Sequence, residues 1–210
     1  MSVLPIFNPF CLFVCRFLSR FSVWLLTIQE AVFNEMPDSN PSHHQMSATA
    51  QTYIEALEMQ PHPEGGFFRE TYRSGQLVEV IGDGAVHQRN AATGIYFLLQ
   101  EGNFSAFHKI KSDEMWHFYA GQALEILELK PTGVLQCTRL GPDTLGGDVH
   151  QHVVQANTWF ASRVAAGSAF SLVGCTVAPG FDFADFCLAE RAALLATFPQ
   201  HDRVITELTR

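Results

Sequence analysis

Beyond Pro61 the chain breaks into short runs of aromatic and branched residues at near-regular spacing, and that spacing restricts the fold more than any other feature. "GFFRETY", "QLVEVI", "TGIYFLL", "FSAFHKI", "EMWHFYA", "ALEILEL", "VLQCTRL", "VHQHVV" and "AFSLVGCTV" are each of strand length and composition. The segments between them, "GDG", "QEGN", "KSD", "PTG" and "GPDTLGG", have turn chemistry. Many short strands at this spacing predict a mainly β sandwich or barrel, most simply a jelly roll. Upstream, "MSATAQTYIEAL" from Met46 reads as a domain start, with Ser47 available to cap a helix carrying Tyr53, Ile54 and Leu57. After Pro179 the period changes: Phe186, Ala189, Ala193 and Leu194 fall at helical spacing, with Asp182 or Asp185 near the start and Pro199 ending it. The expected order is an N-terminal helix, strands, and a C-terminal helix.

The chain has 210 residues, 47% hydrophobic and only 16% charged, which suits one folded domain over residues 46–210 rather than a disordered chain. A net charge of -8 argues against nucleic acid as a partner, because phosphate binding needs clustered Lys and Arg. Cys11, Cys15, Cys137, Cys175 and Cys187 are an odd, scattered set without C-x-x-C spacing, so neither a disulfide framework nor a zinc ribbon is indicated, and a cytoplasmic setting fits. Residues 1–45 read as an extension. In "PFCLFVCRFLSRFSVWLL" (Pro9 to Leu26), Arg16 and Arg20 interrupt the apolar run before it reaches the length of a membrane span. Arg16, Ser19, Arg20 and Thr27 would share one helical face, which permits an amphipathic helix at a membrane surface. "MPDSNPSHHQ" follows as a linker-like stretch. An over-extended gene start, an interfacial or docking helix, and a cleaved targeting segment are the three readings of this extension.

The densest chemistry lies in "EGNFSAFHKIKSDEMWHFYAG", Glu101 to Gly121. Strand alternation puts Phe104, Ala106, His108 and Ile110 on one face, and Glu114, Trp116 and Phe118 on one face of the next strand. The turn at Lys111 to Asp113 makes the two strands neighbours, so His108 and Glu114 can point into the same interior. A histidine and a carboxylate in a partly desolvated pocket perturb each other's pKa, as proton transfer or metal ligation requires. His117 falls on the opposite face from Glu114 and is expected outward. His150 and His152 share a face and Gln151 takes the other. Trp116, Phe118 and Trp159 read as core or as the wall of a ligand pocket, and Arg69 as an anion-binding fork or a solvated ion pair. His62, preceding Pro63, is expected in an extended loop or turn, with Gly65 and Gly66 forming a bend.

The same stretch resembles the cupin signature G-x5-H-x-H-x3-E-x6-G, with Gly102, His108, Glu114 and Gly121 at those spacings and Ile110 at the second histidine. In metal-binding cupins both histidines, the glutamate and a histidine from a second motif, P-x-G-x-x-H, hold the ion; here Gln155, Asn157 and Phe160 stand at those three positions. Two of the four usual ligands are therefore absent. "HPEGGFFRETYRS", "GIYFLLQEGNFSAFHKIKSDEMWHFYAG" and "FSLVGCTVAPGFDFADFCLAER" together resemble an uncharacterised single-domain cupin family, a domain of unknown function and the fifth cupin family, over about Met46 to the C-terminus. The resemblance implies a double-stranded β-helix of the RmlC-like superfamily and a homodimer.

Three functions follow as expectations. In the first, a small molecule (a sugar, sugar nucleotide or small carbonyl metabolite) undergoes epimerase- or isomerase-like proton transfer, with His108 and Glu114 catalytic, Tyr96 or Tyr119 as acid, and Arg69, Trp116, Phe118 and Trp159 binding substrate. In the second, a dioxygenase or metal isomerase uses His108 and Glu114 with a surrogate ligand among His117, His150 and His152. In the third, the barrel holds a metabolite without turnover.

Overall fold

Strands with one apolar side need a second sheet or a helix on that side, and this chain supplies both. The computed structural model describes residues 49–82 and 84–210, which fall within one compact unit, Ala48–Arg210. The extension at residues 1–45 and the Ser47 cap lie outside the described residues. Helix α1 spans Ala50–Ala56, with the Thr49 side chain accepting from the Thr52 N–H as its N-cap.

One six-stranded antiparallel sheet has the order β1-β2-β5-β12-β7-β10. Its strands are β1 (Gln60–Pro61), β2 (Phe67–Arg73), β5 (Thr93–Gln100), β12 (Phe170–Ala178), β7 (Asp113–Gly121) and β10 (Gln151–Val154). A five-stranded antiparallel sheet, β13-β6-β11-β8-β9, comprises β13 (Cys187–Leu188), β6 (Phe104–Lys109), β11 (Trp159–Val164), β8 (Leu124–Leu129) and β9 (Leu135–Leu140). A separate hairpin pairs β3 (Leu77–Gly82) with β4 (Ala85–Asn90).

The main core lies between the two sheets: Phe97, Leu99, Trp116, Val173 and Cys175 from the first meet Leu124, Ile126, Phe160 and Val164 from the second. The outer face of the first sheet is covered by α1, where Leu98, Phe170 and Leu172 pack with Tyr53, Ile54 and Leu57. The outer face of the second is covered by the C-terminal helices, where Phe107, Leu127 and Leu129 meet Leu194, Ile205 and Leu208. This is a double-stranded β-helix with a helix on each side. Among the described residues no helix is long and apolar enough to cross a membrane.

The C-terminal helical pattern begins later than the sequence predicts. Phe183–Asp185 is a single 3₁₀ turn and Cys187–Leu188 pairs with β6, so Phe186 and Ala189 precede the helix. Helix α2 (Arg191–Thr197) is capped by the Glu190 carboxylate on the N–H groups of Ala192 and Ala193, and α3 (Asp202–Glu207) follows Pro199. The spacing at 186–194 therefore marks no single helical face: Phe186 packs against His62 and His108, Ala189 and Leu194 join the outer-face core, and Ala193 is exposed.

Three β-bulges shift the expected alternation. Between Phe160 and Ser162 of β11, β6 runs from His108 to Ser105, one residue more than its partner. Phe104 consequently packs with Phe107 on the outer face, not with His108 as strict alternation requires. A second bulge lies in β2 between Glu70 and Tyr72, and a third in β7 between Phe118 and Ala120.

Candidate functional site

The barrel holds a cavity of about 80 Å³ in which ionisable groups from five parts of the chain converge. His108 and Glu114 both line it, from β6 and β7, with Ile110 beside them. His62 and Glu64 enter from the loop between β1 and β2. Glu70 and Arg73 come from β2, and Cys175 from β12. Phe68, Phe97, Phe181 and Phe183 supply apolar wall.

The loop reaches the interior because of its glycines. Gly65 has φ +118°, which L side chains rarely adopt, and a Cβ there would collide with the Phe104 carbonyl and Arg210. The Gly65 N–H donates to the His62 carbonyl at 3.0 Å and the His62 N–H to the Gly66 carbonyl at 3.0 Å, closing a tight turn. The Glu64 carbonyl accepts from the Ala106 N–H at 2.9 Å, at the β6 bulge, and from Arg210 at 3.2 Å. The bulge thereby places Ser105 and His108, three residues apart, on the same carboxyl: Ser105 Oγ donates to Glu64 Oε1 at 2.9 Å, and His108 Nε2 lies 3.2 Å from Glu64 Oε2. His62 Nδ1 lies 3.5 Å from that same Oε2.

Burial sets the electrostatics. It pushes the Glu64 carboxyl up, against the opposing effects of His62 and Ser105. It pushes both histidines down, His62 against the pull of Glu64, and His108 against Glu114 and the Ala106 carbonyl. His108 Nδ1 is 2.7 Å from the Ala106 carbonyl, which requires the proton on Nδ1 and leaves Nε2 as acceptor in the neutral ring. The Glu64–His108 contact is therefore best satisfied by a protonated Glu64 donating to a neutral His108.

Glu114 is 8% exposed, and burial raises its pKa to about 7; His108 opposes the rise and Glu64 adds to it. The buried Trp116 Nε1–H has no well-formed hydrogen bond but lies beside this carboxyl, as does the Cys175 thiol, itself raised well above its usual value by burial.

The structure separates the other residues singled out in the sequence from this cavity. Arg69 is half-exposed and pairs with Glu58 at 2.6 Å. Trp116 sits in the core, edge-on to Phe97 and Phe160. Phe118 packs on the same core and faces His150. Trp159 lies on the outer face of its sheet beneath Lys109 Nζ, 4.7 Å from the ring centre. Tyr96 and Tyr119 contact each other on the outer side at 5.8 Å, away from the cavity walls, so neither is placed as its acid. His117 is held outward by Thr176 and Gln151 at 3.2 and 3.1 Å. His152 points inward but to Glu128, at 2.7 Å. None of the three surrogate histidines reaches His108 and Glu114. Conversely, His62, Glu64, Glu70, Arg73 and Cys175 were not expected here; two ionisable residues flanking Pro63 just ahead of Gly65-Gly66 were the available signal for the first two.

A double-stranded β-helix whose cavity is lined by His108 and Glu114, from the first-motif strands β6 and β7, defines a cupin. Residues 51–189 match the family described as Cupin superfamily (DUF985), and the chain belongs to it. An uncharacterised protein of Saccharomyces cerevisiae is 30% identical over 169 residues, covering 75% of this chain and 81% of the relative. A hypothetical protein from Leishmania major is 34% identical with a TM-score of 0.71, and a Shewanella oneidensis protein 42% identical with 0.69; each covers 77% of this chain and 98% of the other.

Many cupins carry a divalent metal, and the donor set here does not fit one. Ile110 and Phe160 are buried carbon side chains at two ligand positions, with the Phe160 ring centre 4.1 Å from that of His108. Both His108 nitrogens are engaged, and among the described residues no three His, Cys, Asp or Glu side chains form a metal-binding group. The second-motif turn survives without its glycine: Asn157 takes φ +61°, a conformation Asn tolerates, and donates its N–H to the Ile110 carbonyl at 2.7 Å.

Proposed function

We propose that the cavity binds a small hydroxycarbonyl metabolite and moves a proton beside its carbonyl, as an epimerase or isomerase does, with Glu114 as the acid–base group. The observation that carries this reading is a buried carboxyl, facing a cavity, with its pKa near 7: it exchanges protons readily at neutral pH in either direction. The cavity volume of about 80 Å³ is far below the roughly 300–1,000 Å³ of sites for drug-sized ligands, which favours a small metabolite over a sugar nucleotide.

In this reading the ionised Glu114 takes a proton from the carbon next to the carbonyl, and the bonding electron pair moves onto the carbonyl oxygen. Protonated Glu64, which lines the same cavity, turns its O–H from His108 Nε2 to hydrogen-bond that oxygen as its charge develops. Protonated Glu114 then returns the proton to carbon. His108, expected from sequence to be catalytic, instead accepts from Glu64 and orients its carboxyl.

Deuterium incorporation into dihydroxyacetone and glyceraldehyde in heavy water, followed by NMR, tests this. Wild-type protein is expected to catalyse exchange, with a rate rising as Glu114 loses its proton around pH 7, and Glu114→Gln to lose at least about 100-fold. Bound probe that exchanges no faster with wild type than with Glu114→Gln would overturn the catalytic reading and leave a binding module.

A further inference from the structure

Among the described residues lining the cavity, Arg73 is the only Lys or Arg, while Glu64, Glu70 and Glu114 are acidic. Arg73 has no charge to spare. Its Nε donates to Glu70 Oε1 at 2.9 Å and its Nη2 to Glu70 Oε2 at 2.7 Å, a two-pronged carboxylate pairing. Its Nη1 donates to Asn90 Oδ1 at 2.8 Å and to the Phe181 carbonyl at 3.2 Å. Residues three apart on a regular strand face opposite sides, so Glu70 and Arg73 could not both face the cavity without the β2 bulge between Glu70 and Tyr72. Behind them, Glu64 and Glu114 offer an incoming anion only repulsion when ionised, and burial keeps His62 and His108 from supplying positive charge.

We infer that the cavity takes uncharged hydroxycarbonyl compounds and rejects their phosphorylated counterparts, and that Glu70 sets this selectivity by neutralising Arg73. The inference rests on the cavity being a substrate site, but not on proton transfer taking place there. A phosphate group at this mouth finds a guanidinium whose carboxylate partner is already in place. Removing that partner turns the same guanidinium into an oxyanion fork. Glu70 thus acts on specificity through Arg73, and the pair is half-exposed, so its replacement leaves the core intact.

Dihydroxyacetone and dihydroxyacetone phosphate share the hydroxycarbonyl and differ in the charged group. Their affinities, measured by ligand-observed NMR at low salt, are to be compared for wild type, Glu70→Gln, Glu70→Ala and the double variant Glu70→Ala/Arg73→Ala. Wild type is expected to bind the neutral probe at least about tenfold more tightly than the phosphate. Both Glu70 single variants are expected to gain about tenfold or more for the phosphate, and the double variant to lose that gain. Equal or tighter binding of the phosphate by wild type overturns the inference, as does unchanged phosphate affinity in both Glu70 variants. Absence of binding of either probe to all four proteins overturns this inference and the substrate-site reading together. Intact selectivity without deuterium exchange removes only the proton-transfer chemistry.

Discussion

Two glutamates project into the barrel interior, and their surroundings set them to opposite states. Glu128 on β8 is 0% exposed, yet His152 Nε2 at 2.7 Å and Lys130 Nζ at 2.6 Å both bond to it. Burial pushes its pKa up, but the hydrogen bonds and charges of His152 and Lys130 outweigh burial and hold it below the usual value. Glu114 on β7 is nearly as buried, and its neighbours are an indole N–H, a thiol and a histidine that burial keeps neutral. Burial wins there, and the carboxyl titrates near 7. A buried carboxylate held by a lysine and a histidine is structure; one with no such partners, on a cavity wall, is available for chemistry.

Removing each carboxylate tests the contrast, with opposite signs. Glu128→Ala leaves His152 and Lys130 without their shared acceptor, and a loss of about 3 kcal/mol or more in urea unfolding is expected. Glu128 has a folded pKa below its unfolded value, so its stabilisation is full above the unfolded pKa and is lost as pH falls through the folded one. Glu114 runs the other way. Its folded pKa lies above the ordinary value of 4.5, so the native state holds more protons than the unfolded state between about pH 4.5 and 7, and stability falls as pH rises across that window. Above it the accumulated cost is about 3 kcal/mol, by the free energy of one pKa unit. Glu114→Gln is therefore expected to be more stable than wild type near pH 8 by up to that amount, with the advantage vanishing near pH 4. A variant less stable than wild type at both pH values would show that the Glu114 carboxylate is paired after all.

The fold was legible because strand length and turn chemistry recur in the sequence and because the cupin spacing is carried by separated glycines, a histidine and a glutamate. Two longer strands escaped that reading. "AVHQRN" (β4) has little apolar content because it lies in a two-stranded hairpin rather than over the core. "WFASRV" (β11) sits in the middle of its sheet, but its first two residues end the stretch Gln155–Phe160, which reads as the second metal motif rather than as a strand. The site was half legible. His108 and Glu114 follow from spacing, and the structure puts them on one cavity. The remaining members depend on bulges and a glycine turn, features that break the period-two rule by which strand faces are read. Glu64 lies in a loop, Arg73 faces the cavity only through a bulge, and Arg69 faces Glu58 at the surface. No local pattern distinguishes Arg69 from Arg73 in advance.

The loop carrying Glu64 gives a smaller test of the raised side of the contrast. Gly65→Ala puts a side chain where φ is +118° and where the Phe104 carbonyl leaves no room. A cost of roughly 1–3 kcal/mol is expected from the backbone conformation. Displacing Glu64 also removes the carboxyl that adds to the Glu114 rise, so the Glu114 titration, read by NMR of a labelled carboxyl carbon, should move below its wild-type position. An unmoved titration would mean that burial alone holds Glu114 up.

The smallest effect is expected at Arg69, and it sharpens the difference between the two arginines of β2. The Arg69–Glu58 pair has side chains 45% and 74% exposed, so solvent and salt screen it, and pairs of this kind contribute about 0–1 kcal/mol. Arg69→Ala should therefore change stability by no more than roughly 0.5 kcal/mol. Because Arg69 is absent from the cavity wall, the variant should also leave the neutral-over-phosphate preference unchanged, in the Glu70→Ala background as well as in wild type. A loss of phosphate binding in Arg69→Ala/Glu70→Ala equal to that in Arg73→Ala/Glu70→Ala would place both arginines at the mouth and erase the distinction that the β2 bulge creates.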